Sequence, residues 1–334
     1  MPDTRRRFGT GSVPGRAHLL SDVSGDTMPP IDLLSRGPCP FLPGFDLADA
    51  TLPDLRLRVA LSPGGHRLPV LLLHGHPQTH ATWHAVAPRL RDLGHPVVAP
   101  DLRGYGDSER PDSAADHAPY AKRAMAADAI ALMRACGYAR FAVVGHDRGG
   151  RVAHRLALDH PAAVDRLAVL DIAPTQTMYA RTDRAFATRY FWWFFLIQPA
   201  PLPERMIGAD PEAYLRHHLA GQSRTPGIPS EAMIREYLRC YQAPGSIHAI
   251  CEDYRAAAGI DLDHDAADDA AGRRVTAPLL ALWGAGGTVG ELYDVAATWR
   301  EKADRVEGHA LPCGHLLQEE APELVLNHLR PFLA

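Results

Sequence analysis

One segment near the middle of the chain restricts the possible fold more than any other. It runs from Val143 to Arg151 and reads VVGHDRGGR. Gly145 and Gly149 flank Asp147 with the spacing of a nucleophile elbow, a sharp turn between a strand and a helix that exposes one side chain above a parallel sheet. The sequence therefore predicts a parallel sheet with Asp147 at the carboxyl end of one of its strands.

Short apolar segments alternate with helical patterns along most of the chain. The apolar segments lie at residues 69–73, 97–100, 141–144, 167–170 and 278–283. A helical pattern covers residues 125–136 and stops at Gly137, and residues 54–61 alternate loosely, which is typical of an edge strand. Short apolar strands separated by helices imply a mostly parallel central sheet with helices on both faces. Functional side chains then gather beyond the carboxyl ends of the strands.

The alternation of strands and helices is interrupted between about residues 176 and 270. This stretch contains helical patterns, the aromatic run Tyr190–Phe195 and several Pro-rich joints. It fits a helical cap that is inserted after the strand ending at Asp171.

The pattern divides the chain into a first core segment, 36–175, a helical cap, 176–270, and a second core segment, 271–334. Residues 1–35 are rich in Gly, Pro, Ser and Asp and lack periodicity, so we expect a disordered tail. Met28 is a candidate for the true start of the protein.

Composition argues against several classes of function. The 334 residues carry a net charge of −4, which gives no basic footprint for nucleic acid. No apolar run approaches the roughly 18 residues that span a membrane. Five cysteines without a C-x-x-C pair are typical of reduced thiols and of a cytoplasmic location. Without a Walker-type loop or a dinucleotide glycine fingerprint, no organic cofactor is expected.

Aspartate at the elbow position implies a different chemistry from serine. A carboxylate displaces a leaving group from saturated carbon, whereas an elbow serine usually attacks an acyl carbon. Arg148 and Arg151 lie three residues apart, on neighbouring parts of one helical face. Their guanidinium groups and the positive end of the helix would offset the repulsion between Asp147 and an anionic substrate. We therefore expect a small substrate whose own carboxylate binds Arg148 and Arg151.

With these motifs the chain resembles the haloacetate (fluoroacetate) dehalogenase family of the α/β-hydrolase superfamily. The resemblance runs from about Gly44 to the C-terminus. It depends on HGHPQ at 74–78, DLRGYG at 101–106, GHDRGGR at 145–151, ALDHP at 157–161, LDI at 170–172, QPAP at 198–201, IGADP at 207–211, DYRA at 253–256 and GH at 314–315. Generic α/β-hydrolases share the first two segments, whereas the elbow run and the cap segments are more selective. The resemblance implies the α/β-hydrolase fold with an inserted cap, hydrolytic dehalogenation of short 2-haloacids, and a homodimer.

The resemblance also implies a catalytic triad of Asp147, His315 and Asp171. Asp147 would displace the halide and form an ester with the substrate. Water activated by His315 would hydrolyse that ester, and Asp171 would orient His315. The segment Gly284–Gly290, where many such folds place the acid, contains no carboxylate, which favours Asp171. Because the base must be neutral, activity is expected to fall as His315 becomes protonated.

Further site residues follow from the same resemblance. The backbone N–H groups of His76 and Arg148 are expected to form the oxyanion hole. In the family, a His-Trp pair and a tyrosine bind the leaving halide, and the matching positions are Trp192, Trp193 and Tyr254. Trp192 stands where histidine is usual, and His76 stands where phenylalanine is common. We hypothesise that His76 partly replaces the missing histidine.

Other functions are compatible with parts of the sequence. An epoxide hydrolase shares the aspartate elbow and needs two cap tyrosines, for which Tyr254 and several others are candidates. Arg148 argues against it, because tryptophan is usual at that position and an epoxide needs no carboxylate-binding arginine. A non-catalytic protein on this fold would be expected to have lost a triad member.

A metallohydrolase is a further alternative, suggested by four nearby histidines, His74, His76, His80 and His84. Their spacing includes no carboxylate ligand, and they lie on the turn of the predicted oxyanion hole. No metal is therefore expected.

Overall fold

The computed structural model describes residues 32–334, so the predicted tail before Asp32 lies outside it. The strands are β1 Asp32–Pro38, β2 Asp46–Thr51, β3 Arg56–Ser62, β4 Val70–Leu73, β5 Val97–Pro100, β6 Phe141–His146, β7 Val164–Leu170, β8 Leu279–Gly284 and β9 Val306–Leu311. They form one sheet in the order β1-β2-β3-β5-β4-β6-β7-β8-β9. The pairs β1-β2, β2-β3 and β3-β5 are antiparallel and the other five are parallel. The predicted mostly parallel sheet is confirmed.

Helices fill most of the connections between the strands. They are α1 Ala87–Asp92, α2 Lys122–Ala135, α3 Arg148–Asp159, α4 Thr175–Ala180, α5 Arg184–Arg189, α6 Phe191–Phe195, α7 Leu202–Ala209, α8 Pro211–Gln222, α9 Glu231–Tyr241, α10 Ser246–Ala258, α11 Ile260–Ala270, α12 Thr288–Leu292, α13 Val295–Arg300, α14 Leu317–Glu320 and α15 Pro322–Phe332. Two 3-10 turns lie at His80–Trp83 and Ala118–Tyr120. Within residues 32–334, no helix is long and apolar enough to cross a bilayer.

Both faces of the sheet are covered by helices. Successive residues of a strand point to opposite faces, and β6 illustrates this arrangement. Val143 belongs to an apolar cluster with residues of α2 and α3, whereas Val144 belongs to a second cluster with residues of α1 and α15. Because both faces are buried, the inner parallel strands β4 to β8 contain continuous apolar runs, which made them recognisable in the sequence.

Two predictions about the antiparallel side of the sheet are wrong. Residues 54–61 were expected to form an edge strand, but β3 lies between β2 and β5. Residues 32–35 were assigned to the disordered tail, but they belong to β1, which is the actual edge. Because every residue of β1 is at least partly exposed, the strand has no apolar pattern. Backbone pairing with β2 holds it, together with a hydrogen bond of 2.7 Å from Arg36 Nε to Asp49 Oδ2.

An uninterrupted series of helices connects β7 to β8. It comprises α4 to α11, from Thr175 to Ala270, where the sequence pattern predicts the cap. The division of the chain into cap and core segments stays a prediction. What matters for the site is that α6, α8 and α10 carry side chains that face the carboxyl ends of the strands.

Candidate active site

Asp147 lies at the sharp turn between β6 and α3. Its backbone φ is +46°, a region that side chains other than glycine rarely adopt. The turn requires two glycines. A Cβ on Gly145 would lie 2.4 Å from the carbonyl oxygen of Gly149, and a Cβ on Gly149 would lie 2.3 Å from that of Leu73. The strained turn at Asp147 is therefore held in place by close backbone packing that only glycine permits.

Asp147, His315 and Asp171 lie together in the structure. His315 Nδ1 is 2.6 Å from Asp171 Oδ2, and His315 Nε2 is 3.9 Å from Asp147 Oδ2. The other oxygen of Asp171 accepts a hydrogen bond of 2.8 Å from the backbone N–H of Gly284. Asp171 is thus fixed from two sides, and it holds His315 with Nε2 towards Asp147.

Opposing effects of burial and charge set the protonation of this group. Burial alone would raise the pKa of Asp147, but the charges of His315 and of the two arginines hold its pKa well below the usual range. Burial alone would lower the pKa of His315, but its hydrogen bond to Asp171 and the charges of Asp171 and Asp147 raise the pKa above 6.5. Asp147 is therefore an ionised carboxylate, as a nucleophile must be.

Arg148 is fully buried, and a carboxylate of the protein already binds it. Its Nε donates to Asp253 Oδ2 at 2.7 Å, and its Nη2 donates to Asp253 Oδ1 at 2.9 Å. Its guanidinium also lies 4.2 Å from the ring centre of Tyr254. Lys122 and the hydroxyl of Tyr105 contact the same Asp253 carboxylate. Part of the positive charge of Arg148 is therefore balanced before any substrate binds.

Arg151 is also buried, but its contacts are neutral. Nη1 donates to the carbonyl of Ala173 at 3.1 Å and to Thr175 Oγ1 at 2.9 Å. The guanidinium lies 4.7 Å from the ring centre of Trp193, and its Nε has no hydrogen-bond partner in the described part of the chain. Within residues 32–334 no carboxylate forms an ion pair with it. Sequence reasoning treated the two arginines as equal, and Asp253, which distinguishes them, lies in the DYRA segment.

Of the two N–H groups predicted to form the oxyanion hole, that of His76 makes a hydrogen bond to the nucleophile. The backbone N–H of His76 donates to Asp147 Oδ1 at 3.0 Å. A Cβ on Gly75 would lie only 2.5 Å from Asp147 Cβ, so this close approach requires glycine. Arg148, the other predicted donor, is the first residue of α3. The role of its N–H stays a prediction.

The three predicted halide-binding residues lie in two environments. Trp193 and Tyr254 stack on the guanidinium groups of the two arginines. In the described residues, neither the indole N–H of Trp193 nor the hydroxyl of Tyr254 makes a hydrogen bond. Trp192 packs elsewhere, edge to face on His218, with 4.5 Å between ring centres. A cavity of about 160 Å³ reaches the triad from this side, and its lining includes Tyr190, Trp192, His218, Gln222, Thr288 and His315.

Three of the four histidines that suggested a metal site, His74, His80 and His84, make side-chain hydrogen bonds within the protein. Nε2 of His74 accepts a hydrogen bond of 3.0 Å from the backbone N–H of Leu102. His80 Nδ1 lies 2.8 Å from Asp101 Oδ1. Among residues 32–334, one group has metal-ligand spacing, namely Glu307, His309 and His328, and it includes none of the triad residues.

A buried carboxyl group behind the site was missed by the sequence reasoning. Glu319 Oε1 accepts hydrogen bonds from Gln78 Nε2 at 2.6 Å, Thr82 Oγ1 at 2.7 Å and the Tyr237 hydroxyl at 2.8 Å. Its Oε2 is buried and has no partner in the described residues. Burial raises the pKa of Glu319 from 4.5 to about 7, against the effect of these hydrogen bonds.

This raised pKa predicts a pH-dependent stability. The folded state holds the proton of Glu319 more tightly than the unfolded chain, so this stabilisation is present at low pH. It is lost as the pH rises from about 4.5 through about 7. In Glu319→Gln, we expect the loss of unfolding free energy between pH 5 and pH 8 to shrink by roughly 2 kcal/mol. Urea unfolding at several pH values measures it, with the exposed Glu323→Gln as control. An unchanged pH dependence would mean that Glu319 is ionised in the folded protein at neutral pH.

Comparison with known proteins is consistent with this geometry. Residues 69–322 match the family model of the α/β-hydrolase fold. The chain is 44% identical to a fluoroacetate dehalogenase of Burkholderia sp., over 87% of this chain and 94% of that protein. It is 35% identical to a soluble epoxide hydrolase of Corynebacterium sp. (strain C12), over 81% of this chain and 91% of that protein. A solved structure from Salmonella enterica, provisionally described as an acyltransferase, has a TM-score of 0.87 at 58% identity and covers 90% of this chain and 98% of its own.

An aspartate elbow on a sheet of this topology, with a histidine and a second aspartate beside it, defines an α/β-hydrolase. The chain belongs to that superfamily and, within it, to the haloacetate (fluoroacetate) dehalogenase family.

Proposed function

We propose that this protein hydrolyses the carbon–halogen bond of short 2-haloacids and converts a haloacetate to glycolate and halide. One observation carries the proposal, namely an ionised elbow aspartate beside Arg151, which has no ion-pair partner in the described residues. A nucleophile for saturated carbon thus lies beside a receptor for a carboxylate. The Burkholderia relative, a fluoroacetate dehalogenase, supports the same substrate class. The proposed enzyme is a cytoplasmic homodimer that needs no cofactor, metal, nucleic acid or membrane.

The first half of the reaction is a displacement at the α-carbon. Arg151 binds the substrate carboxylate, and Nη1 of Arg148, which has no hydrogen-bond partner in residues 32–334, adds a second donor. An oxygen of Asp147 forms a bond to the α-carbon, and the halide leaves with the electron pair of the carbon–halogen bond. Trp192, Trp193 and Tyr254 are the proposed donors to the halide. Holding the carbon in line for attack supplies several kcal/mol of the catalysis.

The second half hydrolyses the ester on Asp147. His315 takes a proton from water, and the resulting hydroxide attacks the carboxyl carbon of Asp147. The N–H groups of His76 and Arg148 stabilise the oxyanion that forms, each at about 3–4 kcal/mol. Collapse of this intermediate expels glycolate, which takes the proton from His315. Asp147 ionises again, so one proton is released per turnover.

The two arginines are expected to respond differently to substitution. Arg151→Gln should raise the KM for chloroacetate by about 10- to 100-fold, because it removes a charged hydrogen bond to the substrate, and it should not affect neutral chloroacetamide. Arg148→Gln should also destabilise the fold by about 3 kcal/mol, because it leaves Asp253 short of a partner. Steady-state kinetics and urea unfolding of both variants check this. Equal effects of Arg151→Gln on the acid and the amide would contradict it.

Halide release tests the proposal directly. The wild type is incubated with chloroacetate and with fluoroacetate at mildly alkaline pH, and halide and glycolate are measured together. Asp147→Asn serves as the blank. Glycolate and halide in equal amounts from the wild type alone are the expected result. Release from neither acid would reject the proposal.

Epoxide hydrolysis is the second candidate, because two cap tyrosines lie near the nucleophile. Burial raises the pKa of Tyr190 and of Tyr254, and the negative charge of Asp147 adds to both shifts. Within residues 32–334 neither hydroxyl makes a hydrogen bond, so both are available to protonate an epoxide oxygen. The Corynebacterium relative is an epoxide hydrolase. The charge of Arg151, which an epoxide does not use, favours the 2-haloacid. The second candidate would be favoured if the wild type opened styrene oxide and released no halide from the haloacids. Tyr190→Phe and Tyr254→Phe should then each abolish the opening of the epoxide.

A further inference from the structure

Two histidine side chains outside the triad lie between the nucleophile and the cap. His76 is 1% exposed and His218, on α8, is 4% exposed. Their rings meet edge to face with 4.8 Å between ring centres. The backbone N–H of His76 donates a hydrogen bond to Asp147, so one member of this histidine pair is bonded directly to the nucleophile. The other side of the His218 ring packs on Trp192.

Neither imidazole ring has a hydrogen-bond partner for all of its nitrogens within residues 32–334. Both ring nitrogens of His76 and Nε2 of His218 are buried without a hydrogen-bond partner in the described residues. Buried polar groups in native proteins are almost always paired, so three unpaired nitrogens at one place indicate a ligand. Burial lowers the pKa of His76 to about 4 and also lowers the pKa of His218 well below 6.5. Each imidazole is therefore neutral and keeps one N–H donor.

The cavity gives His218 access to a ligand. His218 and His315 line the same space of about 160 Å³. Tyr254 adjoins the pair from α10, with 5.6 Å between its ring centre and that of His76. Trp192, His218, His76 and Tyr254 therefore form a continuous row of aromatic rings, of which Trp192 and His218 line the cavity.

We propose that His218, seated against His76, donates a hydrogen bond to the departing halide and sets the preference between fluoride and chloride. The inference rests on the proposed dehalogenation. In the displacement, the carbon–halogen bond breaks as Asp147 forms its bond to carbon, and the halide takes the electron pair. The imidazole transfers no proton and binds the anion through its N–H. Fluoride accepts stronger hydrogen bonds than chloride, so its departure depends more on this donor.

The effect of His218→Phe on the two halides tests the proposal. Phenylalanine keeps a ring between His76 and Trp192 but removes the donor. The kcat/KM for fluoroacetate is expected to fall about 10- to 100-fold, as for loss of a hydrogen bond to a charged group. The value for chloroacetate should fall by no more than about threefold, because chloride is the weaker acceptor. The matched control is His66→Phe, at an exposed histidine that is not part of the cavity lining, which is expected to leave the fluoride-to-chloride ratio unchanged.

A second variant separates donation from packing. His218→Gln offers an amide N–H in a similar place and is expected to recover part of the fluoride activity that His218→Phe loses. If the role of His218 were purely structural, both variants would lower the kcat/KM for fluoroacetate and the kcat/KM for chloroacetate together. If His218→Phe lowers the kcat/KM for fluoroacetate and for chloroacetate equally, or lowers neither, the inference is wrong. Halide release by the wild type would in that case still uphold the proposed function. If the wild type releases no halide, the proposed function and this inference both fail.

Discussion

Asp147→Asn is expected to abolish halide release from chloroacetate, with kcat lower by at least about 10⁴-fold, as when other enzymes lose their nucleophile. An amide is a poor nucleophile, and the substitution removes the carboxylate that attacks the carbon. The amide oxygen of asparagine can still accept the hydrogen bond from the His76 N–H, so the elbow should keep its conformation. Halide and glycolate assays measure the loss.

Two controls make this result specific. Thermal unfolding of Asp147→Asn should match that of the wild type, which excludes a misfolded protein. Asp92→Asn, at an exposed position at the end of α1, should keep full activity. If Asp147→Asn keeps most of the wild-type rate, another group is the nucleophile and the assigned mechanism is wrong.

His315→Gln is expected to stop the reaction after the first half. Chloroacetate should release one equivalent of chloride per site in a burst, after which turnover should be slower by at least about 10³-fold. The protein should gain the mass of one carboxymethyl group, and peptide mapping should locate it on Asp147. Removing the base prevents attack by water but leaves the displacement intact.

Labelled water distinguishes this route from direct attack on the substrate. In a single turnover of the wild type in heavy-oxygen water, the label should enter Asp147 rather than glycolate. Ester formation also helps the second half, because an ester carries no charge. One of the charges that raise the pKa of His315 is then absent, and the neutral base becomes easier to form. Label found in glycolate after one turnover would mean that water attacks the carbon itself.

The elbow could be predicted because its determinants are local. Gly145 and Gly149 are required by backbone contacts within one strand–turn–helix unit, so their spacing is visible in the sequence. The inner parallel strands β4 to β8 were predicted for a similar reason, since burial on both faces leaves continuous apolar runs. β1, β2 and β9 were missed because they carry polar residues and lie at or near the edges of the sheet.

The differences between similar site residues could not be predicted from the sequence. Arg148 and Arg151 share one motif, and only the fold brings Asp253, 105 residues away, onto Arg148. His218 is the buried member of the pair His217-His218 in α8, and nothing local distinguishes the two. Its contact with His76 joins segments that are far apart in the chain. Such contacts depend on how the helices between β7 and β8 pack against the rest of the protein, and they leave no spacing pattern.

The ion pairs around Asp253 also bear on how substrate reaches Asp147. Asp253 belongs to α10, whereas its partners Arg148 and Lys122 belong to α3 and α2. Lifting α10 away from the sheet would separate buried opposite charges, which costs several kcal/mol. We therefore expect α10 to stay fixed on the sheet. We expect entry and product release to take place through the cavity beside α6 and α8 that already reaches His315.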